Sequence, residues 1–190
     1  MKYNADIHHR KSIRLKGYDY AQAGLYFITL CTQNRECLLG EIKEGEMILN
    51  NAGNMMAKWY DELENKFLDI RCHEMIIMPN HFHCIVQNVG SVGADLRVCP
   101  DKLETDFEDE HIGSPLHRVV QWFKTMTTNE YIRGVKTLNW QPFNGKLWQR
   151  NYWEHIIRNE NAYNRIAQYI IHNPQNWGID KLNHSNNLLK

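Results

Sequence analysis

Two histidines one residue apart, His81 and His83, lie within Pro79-Asn80-His81-Phe82-His83-Cys84-Ile85-Val86. Successive side chains of a strand point to opposite faces. Both imidazoles therefore project together, while Phe82, Cys84 and Val86 turn toward a core. Two imidazoles side by side on a rigid strand can chelate one divalent ion. Taken alone, the pair reads equally well as two histidines bonded to water or to a carbonyl. A second feature changes that balance. A helix is expected over residues 159–173, capped by Asn159 and stopped by Pro174. Tyr163, Ile166, Ala167, Ile170 and Ile171 share its apolar arc, and Arg165, Tyr169 and Asn173 form a polar stripe along one edge. Two imidazoles and the Asn173 amide oxygen would leave positions open on magnesium or manganese for water and a phosphate oxygen. The Tyr169 phenol, with an ordinary pKa of about 10, could then attack phosphorus. Arg165 would offset charge on the phosphate.

The elements that must hold these groups follow from pattern. Residues 25–32 are rich in β-formers and read as a buried strand. Residues 37–42 and 47–49 read as a hairpin around a Gly-containing loop. A helix is expected over 54–67, with Met55, Met56, Trp59, Leu63 and Phe67 at core spacing. A strand over 70–78 bends at Pro79-Asn80 into the histidine strand. Ser114-Pro115 opens a helix expected to end near Tyr131, with Leu116, Val119, Val120, Phe123 and Met126 inward and Lys124 outward. Residues 147–157 read as a final aromatic strand, and the chain beyond Trp177-Gly178 as a polar, frayed tail.

Length and charge bound the rest. A chain of 190 residues suits one domain with a sizeable core. The expected layout is a basic arm over 1–23, one domain over 24–178 carrying a loop insertion at 89–113, and a polar tail over 179–190. No run reaches the roughly 18 apolar residues of a membrane span. Five cysteines (Cys31, Cys37, Cys72, Cys84, Cys99) make no CxxC pair, which argues against a disulfide scaffold and points to the cytoplasm. The formal charge is zero, yet residues 91–113 hold seven acidic groups and two basic ones, leaving +5 elsewhere. A basic body with an acidic insert is compatible with a polyanion partner.

In this order, the Pro79-Asn80-His81-Phe82-His83 strand and the Tyr169-x-x-x-Asn173-Pro174 helix resemble the single-tyrosine HUH transposases of the insertion-sequence 200-like type. The likeness is greatest to their REP-associated branch. It is carried also by Arg10-Lys11-Ser12-Ile13-Arg14-Leu15-Lys16-Gly17-Tyr18-Asp19-Tyr20, by Val119-Val120-Gln121-Trp122-Phe123-Lys124, and by Leu147-Trp148-Gln149-Arg150-Asn151-Tyr152-Trp153-Glu154-His155. The resemblance implies a ferredoxin-like α+β domain, an antiparallel sheet with helices on one face. The histidine pair would sit on a central strand and the nucleophile on the late helix. It implies cleavage and rejoining of single-stranded DNA, folded as hairpins from palindromic repeats, through a 5′-phosphotyrosine. His81 and His83 match the metal pair, Tyr169 the nucleophile and Asn173 the third ligand for Mg2+ or Mn2+. Arg14, Lys16, Tyr18, Lys124, Arg150 and Arg165 are the candidate DNA contacts. Insertion-sequence relatives act as dimers and REP-associated ones as monomers, so either a monomer or a homodimer is expected. The acidic insert is longer than the resemblance leads one to expect.

Two rival readings remain open at the level of sequence. In one, a metal-dependent nuclease or phosphohydrolase uses water, with His73, His155 or His172 as further ligands or proton carriers. In the other, a non-catalytic module binds hairpins without cutting them.

Overall fold

A computed structural model of the protein describes Tyr18, residues 23–90 and residues 115–183. Arg14, Lys16, Ser114 and the acidic insert lie outside the described residues. The chain runs β1 (Gly24–Cys31), β2 (Gly40–Lys43), β3 (Glu46–Leu49), α1 (Asn51–Lys66), β4 (Ile70–Met78), β5 (His81–Asn88), α2 (Pro115–Thr137), β6 (Trp153–Ile157) and α3 (Glu160–Ile171), followed by a 3-10 helix over Pro174–Ile179. Four strands form one sheet in the order β4-β5-β1-β6, every pairing antiparallel. Without the β2–β3 hairpin and α3, the path is the βαββαβ of a ferredoxin-like domain. The expected α+β architecture is present, with the histidine strand at its centre.

The two faces of the sheet bury different elements. Tyr26, Ile28 and Leu30 of β1 join Phe82, Cys84 and Val86 of β5 in a core closed by α1 and α2, through Met56, Tyr60, Leu116, Val119 and Phe123. Residues of opposite parity, Phe27, Ile85 and Ile157, meet Ala167 and Ile170 of α3 on the other side. Helices therefore cover both faces, and the expectation of one covered face holds for α1 and α2 but not for α3. The reason is compositional. Ile85 and its neighbours are apolar on the face that α1 and α2 cannot reach, and α3 brings its own apolar arc to bury them.

Local signals account for most element ends. Asn50 caps α1 by accepting from Gly53 N at 2.9 Å, so the helix starts at Asn51 instead of near Asn54. Gly53 is required there, because a Cβ would collide with the Leu39 carbonyl oxygen. Glu44 and Gly45 both have positive φ (53° and 80°), a two-residue turn whose twist suits the β2–β3 hairpin. Helix α2 passes Tyr131 and runs to Thr137. Gly134 permits this by leaving room for the Trp140 ring against the helix. Thr127 is fully buried on α2, where its hydroxyl accepts from Trp148 Nε1 at 2.9 Å.

Up to Asn183, the last described residue, the segment after α3 is not frayed. It turns back through Pro174–Ile179 and then reaches the start of β5: Leu182 O accepts from Asn80 Nδ2 at 2.9 Å, and Lys181 O from Arg35 Nη1 at 3.0 Å. Apolar content gave no hint of this, because the contacts are made by backbone carbonyls.

Candidate active site

His81 and His83 project from β5 on the α3 face, opposite Cys31 and Thr29 of β1, with ring centroids 4.6 Å apart. Both are almost wholly buried. Burial drives the His83 pKa down to about 3. Burial, then the neighbouring His83 ring, pushes His81 well below its ordinary value, while Asn173 opposes the shift. Both rings are therefore neutral near pH 7, the protonation state in which imidazole binds metal.

The bonds around the rings decide which nitrogens are available. Asn80 Nδ2 donates to Arg35 O at 3.1 Å and to Leu182 O at 2.9 Å, which fixes Asn80 Oδ1 toward His81 Nδ1 at 2.8 Å. An amide oxygen only accepts, so His81 carries its proton on Nδ1 and presents a bare lone pair at Nε2. That atom is buried without a hydrogen-bond partner, and so is Asn173 Oδ1. Asp180 Oδ2 stands 3.9 Å from His81 Nε2, too far for a hydrogen bond. His83 Nδ1 pairs with Thr29 Oγ1 at 2.8 Å, and its Nε2 faces the Tyr169 hydroxyl at 3.3 Å. Phe27 stacks on the His83 ring at 5.2 Å and meets Tyr169 edge-on at 6.1 Å.

Tyr169 is 46 % exposed, open to a large substrate on one side. Its pKa is raised by burial and by the charge of Asp180, with Asn173 pulling the other way. Asn173 is buried just beyond the end of α3, at the entry to the 3-10 helix, and it tempers the shifts of both His81 and Tyr169. The structure thus gathers His81, His83, Tyr169 and Asn173 at one point. Two buried acceptors, His81 Nε2 and Asn173 Oδ1, beside the neutral His83 imidazole, form a donor set that fits a divalent cation. Among the described residues no group of three His, Cys, Asp or Glu side chains converges on a metal position, so the set relies on the amide.

The other candidates fall elsewhere. Lys124 and Arg150 lie in a groove on the α1–α2 side of the sheet, away from the histidines. The Lys124 ammonium is held by Gln149 O at 2.6 Å and Arg150 O at 3.1 Å, and burial lowers its pKa to about 8. Tyr18 packs edge-on against Tyr26 at that same face. Arg165 is exposed on α3, one turn before Tyr169. His73 pairs with Gln87 Oε1 at 3.0 Å, His172 with Gln168 O at 2.8 Å, and His155 is exposed on β6. Sequence reasoning missed Asn80, Thr29 and Asp180. Asn80 alone had a signal, as an amide directly before the histidine strand.

A Haemophilus influenzae protein described as uncharacterized is 38 % identical over 184 residues, spanning 95 % of this chain and 97 % of that protein. The two belong to one family. No family model matches the chain. Among solved structures, a REP-associated tyrosine transposase bound to a REP hairpin superposes with a TM-score of 0.50 at 18 % identity, covering 90 % of this chain and 77 % of that one. A putative transposase from Deinococcus radiodurans R1 gives 0.43 at 14 % identity, over 86 % and 98 % of the two chains. The chain thus has a transposase-like α+β fold. Among the described residues no helix is long and apolar enough to cross a membrane.

Proposed function

We infer that the protein cleaves and rejoins single-stranded DNA at hairpins, using Tyr169 as the nucleophile beside a Mg2+ or Mn2+ site built from His81, His83 and Asn173. The observation that carries this reading is the 3.3 Å approach of the Tyr169 hydroxyl to His83 Nε2, beside the unpartnered His81 Nε2 and Asn173 Oδ1. The transposase that shares the fold is described as bound to a REP hairpin, which supports hairpin DNA as the substrate class. When bound, a hard divalent ion supplies Lewis-acid polarisation of the scissile phosphate. The chain's own residues do the rest. Thr29 and Asn80 hold the two rings in orientation. Phe27 supports His83 and Tyr169 from below. Tyr169 presents its oxygen, which bonds to phosphorus as the bond to the 3′ oxygen breaks. The phenolic proton is balanced by the one the departing 3′-hydroxyl takes up, and the strand can be rejoined by the reverse step.

The test is a denaturing gel after incubation with MnCl2 and a hairpin oligonucleotide carrying single-stranded flanks, drawn from imperfect palindromes around the protein's own coding sequence. The expected result is a covalent protein–DNA band that Tyr169→Phe abolishes. Cleavage that survives Tyr169→Phe would assign attack to water instead. Metal-independent binding with no cleavage would reduce the protein to a hairpin-binding module.

A further inference from the structure

The edge strand β6 carries a large aromatic side chain turned to solvent. Trp153 is 69 % exposed. An exposed apolar residue by itself says little; its position says more. Trp153 pairs with Thr29, and Thr29 pairs with His83, so one row across the α3 face reads His83, Thr29, Trp153. Helix α3 packs over β4 and β5 and reaches β6 at Ile157. Trp153 and His155 remain exposed. Two strand spacings separate the backbones of His83 and Trp153, on the order of 10 Å.

Beyond Trp153 the exposed side chains are His155, Arg158 and Asn159, and the next exposed acid is Glu160 at the start of α3; Arg150 and Asn151 line the groove on the opposite face. The acid between Trp153 and His155, Glu154, has both oxygens buried and points to the other face, opposite Ile28. Cations interleaved with an exposed π-surface are the means by which proteins hold unpaired nucleotides: the backbone by charge, the base by stacking.

We propose that Trp153 is a stacking platform for an unpaired base of single-stranded DNA, close to the phosphate that Tyr169 attacks. This rests on the function inferred above and names the side chain that reads the unpaired state of the strand beside the cut, because a paired base shows no free face to the indole. Stacking tolerates any base, so Trp153 selects for single-strandedness and not for sequence.

The experiment compares fluorescein-labelled (dT)20 with an abasic tract of equal length and charge, by anisotropy at low salt. Wild type is expected to prefer (dT)20, by about 5- to 100-fold if stacking has its usual strength. Trp153→Ala should bring that ratio toward one while leaving affinity for the abasic tract unchanged, and Trp153→Phe should keep most of it. An unaltered ratio in Trp153→Ala overturns the proposal. So does a wild type that binds both tracts equally, and either result leaves tyrosine chemistry standing. A wild type that binds neither tract and forms no covalent adduct with the hairpin overturns both readings. A homodimer lost in Trp153→Ala with an unchanged ratio would assign the edge to a second copy of the chain, also against the proposal. Thermal melts of the variants check that the exposed substitution leaves the fold intact, as surface changes usually do.

Discussion

At the scale of single residues, protonation sets how the site works. With His83 near 3 and His81 also depressed, a metal bound there as proposed would have no imidazole proton to displace at neutral pH. Manganese affinity measured by calorimetry is expected to stay level from pH 8 to pH 6. An ordinary histidine site, with pKa about 6.5, weakens over that range. The same depression bears on stability. Between the folded values and about 6.5 the unfolded chain binds the additional protons, so stability is fully present above pH 6.5 and falls as the medium is acidified toward pH 3. Thermal melts in the metal-free state between pH 7 and pH 5 check this, and His83→Gln should flatten the dependence. The orienting residues are as testable as the ligands. Asn80→Ala removes three hydrogen bonds and should cost roughly 10- to 100-fold in manganese affinity. Tyr169→Phe should leave that affinity within about twofold while abolishing the covalent adduct, because Tyr169 is only a neighbour of the proposed ligand set.

At the scale of elements, sequence periodicity identified the strands that carry the candidate site because their alternation is strict. His81, His83 and Ile85 face one way and Phe82, Cys84 and Val86 the other, as a period of two requires. The tyrosine stripe was legible for the same reason on a 3.6-residue period, although Ile171, placed on its apolar arc, is 54 % exposed. Boundaries were less legible. α1 begins three residues early because Asn50, not a residue nearer Asn54, offers the cap. α2 outruns its expected end because Trp140 packs at Gly134, a contact between residues whose pairing no periodicity encodes. Gly53 is the most exacting position in these elements. Gly53→Ala, favourable in a free helix, is expected to destabilise the protein by about 1–3 kcal/mol through overpacking against Leu39 and Leu49, measured as a shift in the urea midpoint.

At the scale of the whole molecule, the site is assembled from parts distant in sequence. β1 supplies Thr29, β5 the histidines, α3 the tyrosine, and the segment beyond it Asn173, Asp180 and the Leu182 carbonyl. Sequence alone could place the side chains on their elements. It could not show that a carbonyl at position 182 orients a histidine at position 81, since carbonyls carry no residue-specific signal. Removing residues 179–190 should leave the four-stranded sheet intact by circular dichroism. Manganese affinity should drop by an amount similar to that of Asn80→Ala, and combining the two should add little, because both break one hydrogen-bonded chain.

That clasp also orders events during synthesis. Asn80 and the carbonyl that steadies it are 102 residues apart. At ordinary elongation rates they leave the ribosome about 5 to 20 seconds apart. Until the later partner emerges, the Asn80 amide has only the Arg35 carbonyl to hold it, and the imidazole beside it is less firmly oriented. The orientation of His81 is therefore completed only after all four strands of the sheet and α3, which carries Tyr169, have been made.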